Sequence, residues 1–416
     1  MYKKVNVLND TKKMDFDSFF IAFFITMITL NKIISSLLLS SLLLVLWKII
    51  LGISIIFGVV VLLKNMYKNL KVDSVILVLI LLLLFIYSFI MNIKYKDFYI
   101  ENGLTLFIMT LPYYFLARCG VNYKNIKINL KMIAIVIIIS VVILRFFFSN
   151  LIFDGNSSEG YSMTYAYICL FPCCLFLGEI FREYNLKDVF FLICSIFLLL
   201  SFGSRGAIVS FLIFSSVRIF LFLKTIKSAR KTHLILAVII FLTLAILVYL
   251  FQNSILEFLI YIMKMLNFST RALESLYFGE IFQDSVRSRL IGYSTELIKE
   301  YPFGIGGIFA DRIILSEKFL GIVNLTSAQG LYPHNIFLEL LLQYGVFLGS
   351  IFIGVNLYIL YNIFFKCKNK DLEDLGLLFF GIGFIQLFFS QSYTFHSFYF
   401  VFLGFGMNVV YQNKRR

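Results

Sequence analysis

Residues 73–91 read DSVILVLILLLLFIYSFIM, with a single charge, Asp73, at their start. At 1.5 Å per residue, a helix of about 20 residues crosses the roughly 30 Å hydrocarbon core of a bilayer. The apolar residues run on without a break. They show neither the alternation of a half-buried strand nor the narrow stripe of a soluble surface helix. Such a segment reads as a membrane span, and the pattern recurs. Residues 129–149, NLKMIAIVIIISVVILRFFFS, carry only Lys131 and Arg145 as charges.

Composition extends this reading to the whole chain. Of its 416 residues, 60% are hydrophobic and 14% are charged. Soluble domains carry about 45–50% apolar and about 25% charged residues, so there is too little polar surface here to coat a globule in water. A transmembrane barrel would show alternating segments of about 10 residues, and none recurs. Every backbone amide in lipid needs an internal partner, which leaves helices. The expected fold class is all-α: a polytopic membrane helical bundle of about twelve transmembrane helices, forming a single transmembrane domain over 1–416. The predicted spans are 18–39, 42–63, 73–91, 102–117, 129–149, 161–181, 188–203, 206–223, 232–252, 335–362, 374–392 and 397–412. No strong turn signal divides the first two.

Charge sets the orientation. With the N-terminus in the cytoplasm, every predicted cytoplasmic segment is basic. The first holds Lys3, Lys4, Lys12 and Lys13; later ones hold Lys64, Lys68 and Lys71, then Arg118, Lys124, Lys127 and Lys131. Arg182 and Lys187, Lys224 to Lys231, Lys366 to Lys370 and Lys414 to Arg416 complete the series. The outer connection 150–160 has no Lys or Arg. Both termini are therefore expected in the cytoplasm. The net charge of +14 reads as a topogenic signal, with no nucleic-acid partner required. No cleaved signal peptide is read at the N-terminus. The cysteines, Cys119, Cys169, Cys173, Cys174, Cys194 and Cys367, lie mostly in apolar runs without disulfide or metal spacing, and read as small buried hydrophobes.

One segment breaks the rhythm. Residues 253–333 separate the ninth and tenth spans and form a large, partly helical extracytoplasmic loop. Loops of this length are usually functional. Within it, 284–301 reads as a helix: Asp284 caps its start, Val286, Leu290, Tyr293 and Leu297 form an apolar stripe, and Pro302 and Gly304 end it. Phe258, Leu259, Ile260, Tyr261, Met263 and Phe268 are expected against the membrane surface or the bundle.

Three outer-facing places concentrate chemistry. The first is Gly203-Ser204-Arg205-Gly206, the tight link between spans seven and eight. Its arginine is either a snorkelled or paired charge, or an anion ligand, since guanidinium binds phosphate bidentately. The second is Arg287-Ser288-Arg289, which is either a solvated helix face or a phosphate clamp. The third is Pro333-His334-Asn335, at the start of the tenth span. A helix N-terminus disfavours the imidazolium, and a neutral imidazole can accept a proton. Polar anchoring for His334 and capping for Asn335 are the plainer readings. His233 is expected at the cytoplasmic interface and His396 near the outer face. There is no P-loop, HExxH, CxxC or DxD-like pair in the loop, so nothing points to nucleotide hydrolysis, zinc chemistry or a metal-bound nucleotide-sugar donor.

Several of these stretches resemble a known family. Ser288-Arg289-Leu290, Tyr301-Pro302-Phe303-Gly304-Ile305-Gly306, Pro333-His334-Asn335 and Leu340-Leu341-Leu342-Gln343-Tyr344-Gly345-Val346-Phe347-Leu348-Gly349 together look like the O-antigen polymerase/ligase superfamily. Ser204-Arg205-Gly206 is similar to that family's arginine turn. The resemblance implies a fold like that of C-type glycosyltransferases in a bacterial plasma (inner) membrane. It implies metal-independent, inverting glycosyl transfer on the outer face from polyprenyl-diphosphate-linked oligosaccharides such as undecaprenyl diphosphate glycans, with no cofactor. On the matching positions, Arg205 and Arg289 bind the diphosphate, with Arg287 able to replace Arg289, and His334 deprotonates or orients the acceptor hydroxyl. Gly304 and Gly306, which shape a tight turn, and Asn335, beside the histidine, are expected with Arg287 to bind the substrate. Membrane lipids surround the protein, and flippase and chain-length regulator proteins are the expected partners. The favoured activity is polymerisation of repeat units for O-antigen, capsule or exopolysaccharide. The alternatives are a ligase that moves the finished glycan to its acceptor, a lipid-linked oligosaccharide flippase or transporter, and a non-enzymatic scaffold. A transporter would need polar residues deep in its spans, where only Arg145 and Arg218 come close.

Overall fold

The computed structural model describes residues 16–38, 41–69, 71–119, 122–148, 161–225, 252–266, 268–279 and 285–414. All but the last residue of the predicted ninth span lies outside them, as do His233 and Asp284. The described residues are helical, with no strand among them. The first two predicted spans are separate antiparallel helices, α1 (Phe16–Leu37) and α2 (Ser41–Asn69). Trp47 Nε1 donates to Asn31 Oδ1 at 3.0 Å near one end, and Lys64 lies 3.7 Å from Asp17 near the other.

Six described helices are long and apolar enough to cross a membrane. They are α1, α3 (Val72–Met91), α6 (Tyr123–Phe147), α7 (Met163–Arg182), α9 (Arg205–Thr225) and α15 (Ile336–Lys366). Of the remaining predicted spans with described coordinates, 42–63 lies within α2 and the others fall on shorter or interrupted helices. Residues 102–117, read as one span, divide into α4 (Lys96–Leu104), a π turn at Thr105–Thr110 and α5 (Pro112–Arg118). Proline has no N–H to give and its ring crowds the preceding turn, so the chain restarts with Pro112 at the first helical position. α8 is Leu186–Ser201. The predicted 374–392 is α16 (Lys370–Phe379), a π turn at Phe380–Phe384 and a 3₁₀ turn at Ile385–Phe388. A further turn at Tyr393–Phe395 leads into α17 (Ser397–Lys414).

Among the described residues, several of the basic ones read as cytoplasmic form ion pairs. Arg118 pairs with Asp73, and Lys71 Nζ donates to Asn408 Oδ1 at 3.0 Å. Lys131 pairs with Asp188 at 2.7 Å and Lys127 with Glu179 at 2.6 Å. Asp374 is the hub, within 2.8 Å of Lys127, 2.8 Å of Arg182 and 3.1 Å of Arg218. Arg218, one of the two deep cations, is thus ion-paired, and its Nη2 also donates to Gly178 O at 2.7 Å. Removing one partner of a buried pair leaves an uncompensated charge, at a cost of about 3–5 kcal/mol. Asp374→Ala is expected to destabilise the protein by about that amount, read as a fall in thermal unfolding midpoint. An unchanged midpoint would show that the hub carries no stability.

The described part of the segment between α9 and α15, from Gln252 on, packs on the opposite end of the bundle. Ser269 N donates to Ser201 O at 3.2 Å, and Ser88 Oγ to Ile308 O at 2.7 Å. Its helices are α10 (Gln252–Met265), α11 (Arg271–Tyr277), α12 (Ser285–Glu300), α13 (Ala310–Leu320) and α14 (Leu325–Ala328). Met263, Phe268 and Leu273 pack on Phe197 and Leu200 of α8, while Phe258 and Tyr261 remain exposed. α12 matches the predicted helix. Leu290 and Leu297 are buried with Leu315 and Leu342, and Tyr293 packs beside them. Val286 does not join the stripe, because it precedes this cluster by a turn and stays exposed.

Candidate active site

The site is framed by a break in α15. Gly345 (φ 78°, ψ 173°) interrupts the helical hydrogen bonds, and the loop after α12 docks into the gap. Val346 N donates to Pro302 O at 2.8 Å, Ile305 N to Leu342 O at 3.1 Å and Gly307 N to Gln343 O at 3.0 Å. Gly304 (φ 94°) faces this backbone: a Cβ there would lie 2.7 Å from Gln343 O. Gly304 therefore serves close backbone approach, and Gly306 (φ 111°) completes the turn beside Asn92.

This dock fixes the start of α15, where His334 stands. Asn335 is its N-cap, with Oδ1 accepting from Phe337 N at 3.0 Å and Leu338 N at 3.3 Å. Of the two readings of Asn335, capping is the one its geometry supports. His334 is half-buried in the left-handed region (φ 51°), which few non-glycine residues occupy. Its ring lies 4.1 Å from the Tyr332 ring, and Tyr332 OH donates to Ser390 O at 2.6 Å. Burial pushes the Tyr332 phenol up, and the Arg312 and Arg287 guanidiniums oppose that shift.

The two loop arginines separate. At 3.6 residues per turn, positions two apart point to nearly opposite sides of a helix. Arg287 is half-buried and within electrostatic reach of both Tyr332 and Tyr167. Arg289 is exposed and lies over the Phe319 ring at 4.7 Å, on the loop side of α12. Arg205 begins α9 after Gly203, whose positive φ (66°) permits the tight turn. The next residue, Gly206, packs on Tyr167: a Cβ there would lie 2.4 Å from its hydroxyl. The structure therefore gathers the Arg205 turn, Arg287 and His334 around Tyr167 and Tyr332. Arg289 leaves α12 on the side of Phe319. Beside Tyr167 runs a cavity of about 270 Å³, lined also by Gln386, Gln391, His396, Ile28 and Phe395. His396 is buried there, its Nε2 2.9 Å from Ile382 O.

Sequence reading missed the buried polar cluster beneath His334. Arg312, Asp311 and Glu339 have no exposed surface. Gln343 Nε2 donates to Asp311 Oδ1 at 2.7 Å, and Tyr393 OH to Gln343 Oε1 at 2.7 Å. Ser392 Oγ bonds to Glu339 Oε1 and lies 2.8 Å from Thr394 Oγ1. Burial pushes the Asp311 carboxyl up, opposed by Arg312 and the Gln343 hydrogen bond. The sequence did carry a signal, since Asp311-Arg312 and Glu339 are charges set among apolar residues with no solvated run around them. Arg145, the other deep cation, has its guanidinium over the Phe268 and Phe202 rings at 4.7 and 5.6 Å, just before the Arg205 turn.

Arg205, Arg287, His334 and the buried cluster up to Gln343 all lie in one stretch of the chain. Residues 190–353 match the O-antigen ligase family model. That match supports the O-antigen polymerase/ligase superfamily, the one the motifs resemble. No curated protein and no solved structure matches the chain. O-antigen ligase-like proteins are glycosyltransferase-like enzymes acting on glycans, and lipid-linked oligosaccharides are the partners of this class.

Proposed function

We propose that this protein transfers a glycan from a polyprenyl diphosphate to a sugar hydroxyl on the outer face of a bacterial plasma membrane, as a polysaccharide polymerase. The observation that carries the reading is the convergence of the Arg205 turn, Arg287 and His334 on Tyr167 and Tyr332. A diphosphate is already a leaving group. Guanidiniums set where its charge develops stabilise its departure without a metal. The acceptor hydroxyl needs a base and a fixed position, the task given to His334. The transfer is then inverting: the hydroxyl attacks the anomeric carbon opposite the departing diphosphate, and its proton passes to the imidazole. The amide and hydroxyl groups along the cavity beside Tyr167 suit a neutral sugar. Termini in the cytoplasm, a site facing outward and about twelve spans follow from the Lys and Arg distribution. Membrane lipids, a flippase that supplies the donor and a chain-length regulator are the proposed partners.

The family description names a ligase, and this supports a second reading in which the finished glycan moves to its final acceptor. Glycan chain length separates the two. A deletion strain is complemented with wild type, His334→Ala or Arg287→Ala at matched expression, and surface polysaccharide is resolved on a gel. Single repeat units left on the carrier in both variants support the polymerase. Long glycans that persist on the lipid carrier identify a ligase, and normal polymer in both variants overturns the site.

A further inference from the structure

Arg312 is fully buried, and the transfer chemistry above does not use it. Its Nη1 donates to Gln329 O at 2.8 Å and its Nη2 to Thr394 Oγ1 at 3.1 Å. Its guanidinium lies over the Phe395 ring at 4.4 Å and the Tyr332 ring at 5.3 Å. Asp311 and Glu339, both buried, oppose its charge. A buried guanidinium is retained at a cost unless it is paired and hydrogen-bonded in this way.

Arg312 ties the segment that leads into His334 to the turn after α16. Gln329 and Tyr332 belong to the segment that leads into it. Thr394 and Phe395 belong to the turn after α16, and that turn also supplies Ser390 O to the Tyr332 hydroxyl. Tyr332 then lies with one ring 4.1 Å from the imidazole and within cation–π distance of Arg312. A second strained residue, Phe309 (φ 68°), sits on the other side: Arg312 N donates to Phe309 O at 3.2 Å, and the Phe309 ring stacks on Phe395 at 5.9 Å. Left-handed non-glycine residues persist only where their surroundings over-determine them. Here those surroundings meet at one side chain.

We infer that Arg312 is a positioning residue: by gripping Tyr332 and the 390–395 turn, it holds the His334 imidazole at the angle from which it takes the acceptor proton. This rests on the reading of His334 as the base. The role needs arginine specifically. Two diverging donors and two flat faces are used at once, and a lysine ammonium keeps the charge but supplies neither.

The test uses the full-length protein in lipid nanodiscs, with polyprenyl-diphosphate-linked repeat units extracted from the deletion strain as donor. Arg312→Lys is expected to lower kcat about 100-fold, the scale of a misplaced catalytic group, with KM for the donor within about twofold. Tyr332→Ala falls by a similar factor, and Tyr332→Phe, which keeps the ring but loses the hydroxyl bond to Ser390 O, falls less than Tyr332→Ala. The double variant Arg312→Lys/Tyr332→Ala is no slower than the worse single variant, because both act through one contact. A structural defect alone would instead lower the fraction of folded enzyme and leave kcat per folded molecule unchanged. Wild-type kcat in Arg312→Lys or in Tyr332→Ala overturns the proposal, as do multiplying losses in the double variant. If Arg312→Lys does not fold, Tyr332→Ala against Tyr332→Phe still decides. Full activity in His334→Ala sinks the base reading, an outcome distinct from an inert Arg312.

Discussion

His334→Ala is expected to lower turnover by about 10²–10⁴-fold, the range for removing a general acid or base, with donor affinity held. Arg287→Ala should cost about 10²–10³-fold, as for one group stabilising charge that develops in the transition state. Arg289→Ala should cost less than Arg287→Ala, because it leaves α12 on the Phe319 side, nearly opposite the side that carries Arg287. The contrast between the two arginines follows from their helix. They are two residues apart on α12 and so leave it on different sides. Arg287 is within electrostatic reach of Tyr332 and Tyr167, which border the histidine and the Arg205 turn. Arg289 covers the Phe319 ring at 4.7 Å, in the apolar cluster that joins α12 to α13. Initial rates on the extracted lipid-linked donor, with kcat and KM resolved separately, check all three. A severe loss in Arg289→Ala with a mild one in Arg287→Ala would exchange their roles.

The sequence carried the helices well, because a lipid solvent leaves few solutions. Continuous apolar runs such as 73–91 must be helical, and α3 falls within one residue of its predicted bounds, while α6 ends within two residues of its bound but starts six residues earlier. Where a run contained Pro112, hydropathy hid the break that backbone geometry requires. Residues 374–392 carried no proline, and their π and 3₁₀ turns left no trace in hydropathy. The site was half legible. Arg205 and His334 stood out as charged or titratable groups near span ends, and Arg287 and Arg289 as a pair in the loop helix, with Arg289 read as the diphosphate ligand. The choice between Arg287 and Arg289 needed the face each occupies. The Arg312 cluster needed contacts between residues as far apart as Arg312 and Thr394, which no local pattern encodes. Tyr167 and Tyr332 were invisible for a plainer reason. In a chain with 24 tyrosines, nothing local marks the two that border the site.

Gly345→Ala is expected to unfold the outer part of α15 and abolish activity. The residue lies at φ 78°, ψ 173°, a region that is essentially glycine's alone and costs other residues about 1–3 kcal/mol. An added Cβ would stand 2.4 Å from Phe303 C, 2.6 Å from Pro302 O and 2.7 Å from Gly304 N. These are backbone atoms, so no rotamer change relieves the clash. The 302–307 turn must withdraw, and its three hydrogen bonds to the break go with it, at about 1 kcal/mol each. The sum is roughly 4–6 kcal/mol, comparable with the whole stability of many domains, about 5–15 kcal/mol. Gly304→Ala attacks the same contact from the other side, with its Cβ 2.7 Å from both Gln343 O and Gly345 N. The two losses should therefore fail to add in the double variant. Gly354, further along the same helix, has nothing within 4 Å of its Cβ position. Gly354→Ala should be neutral or stabilise by up to about 1 kcal/mol. Thermal unfolding in detergent, with activity per folded molecule, orders the three. A Gly345→Ala protein as stable as Gly354→Ala would mean that the helix break is not held by the loop docked into it.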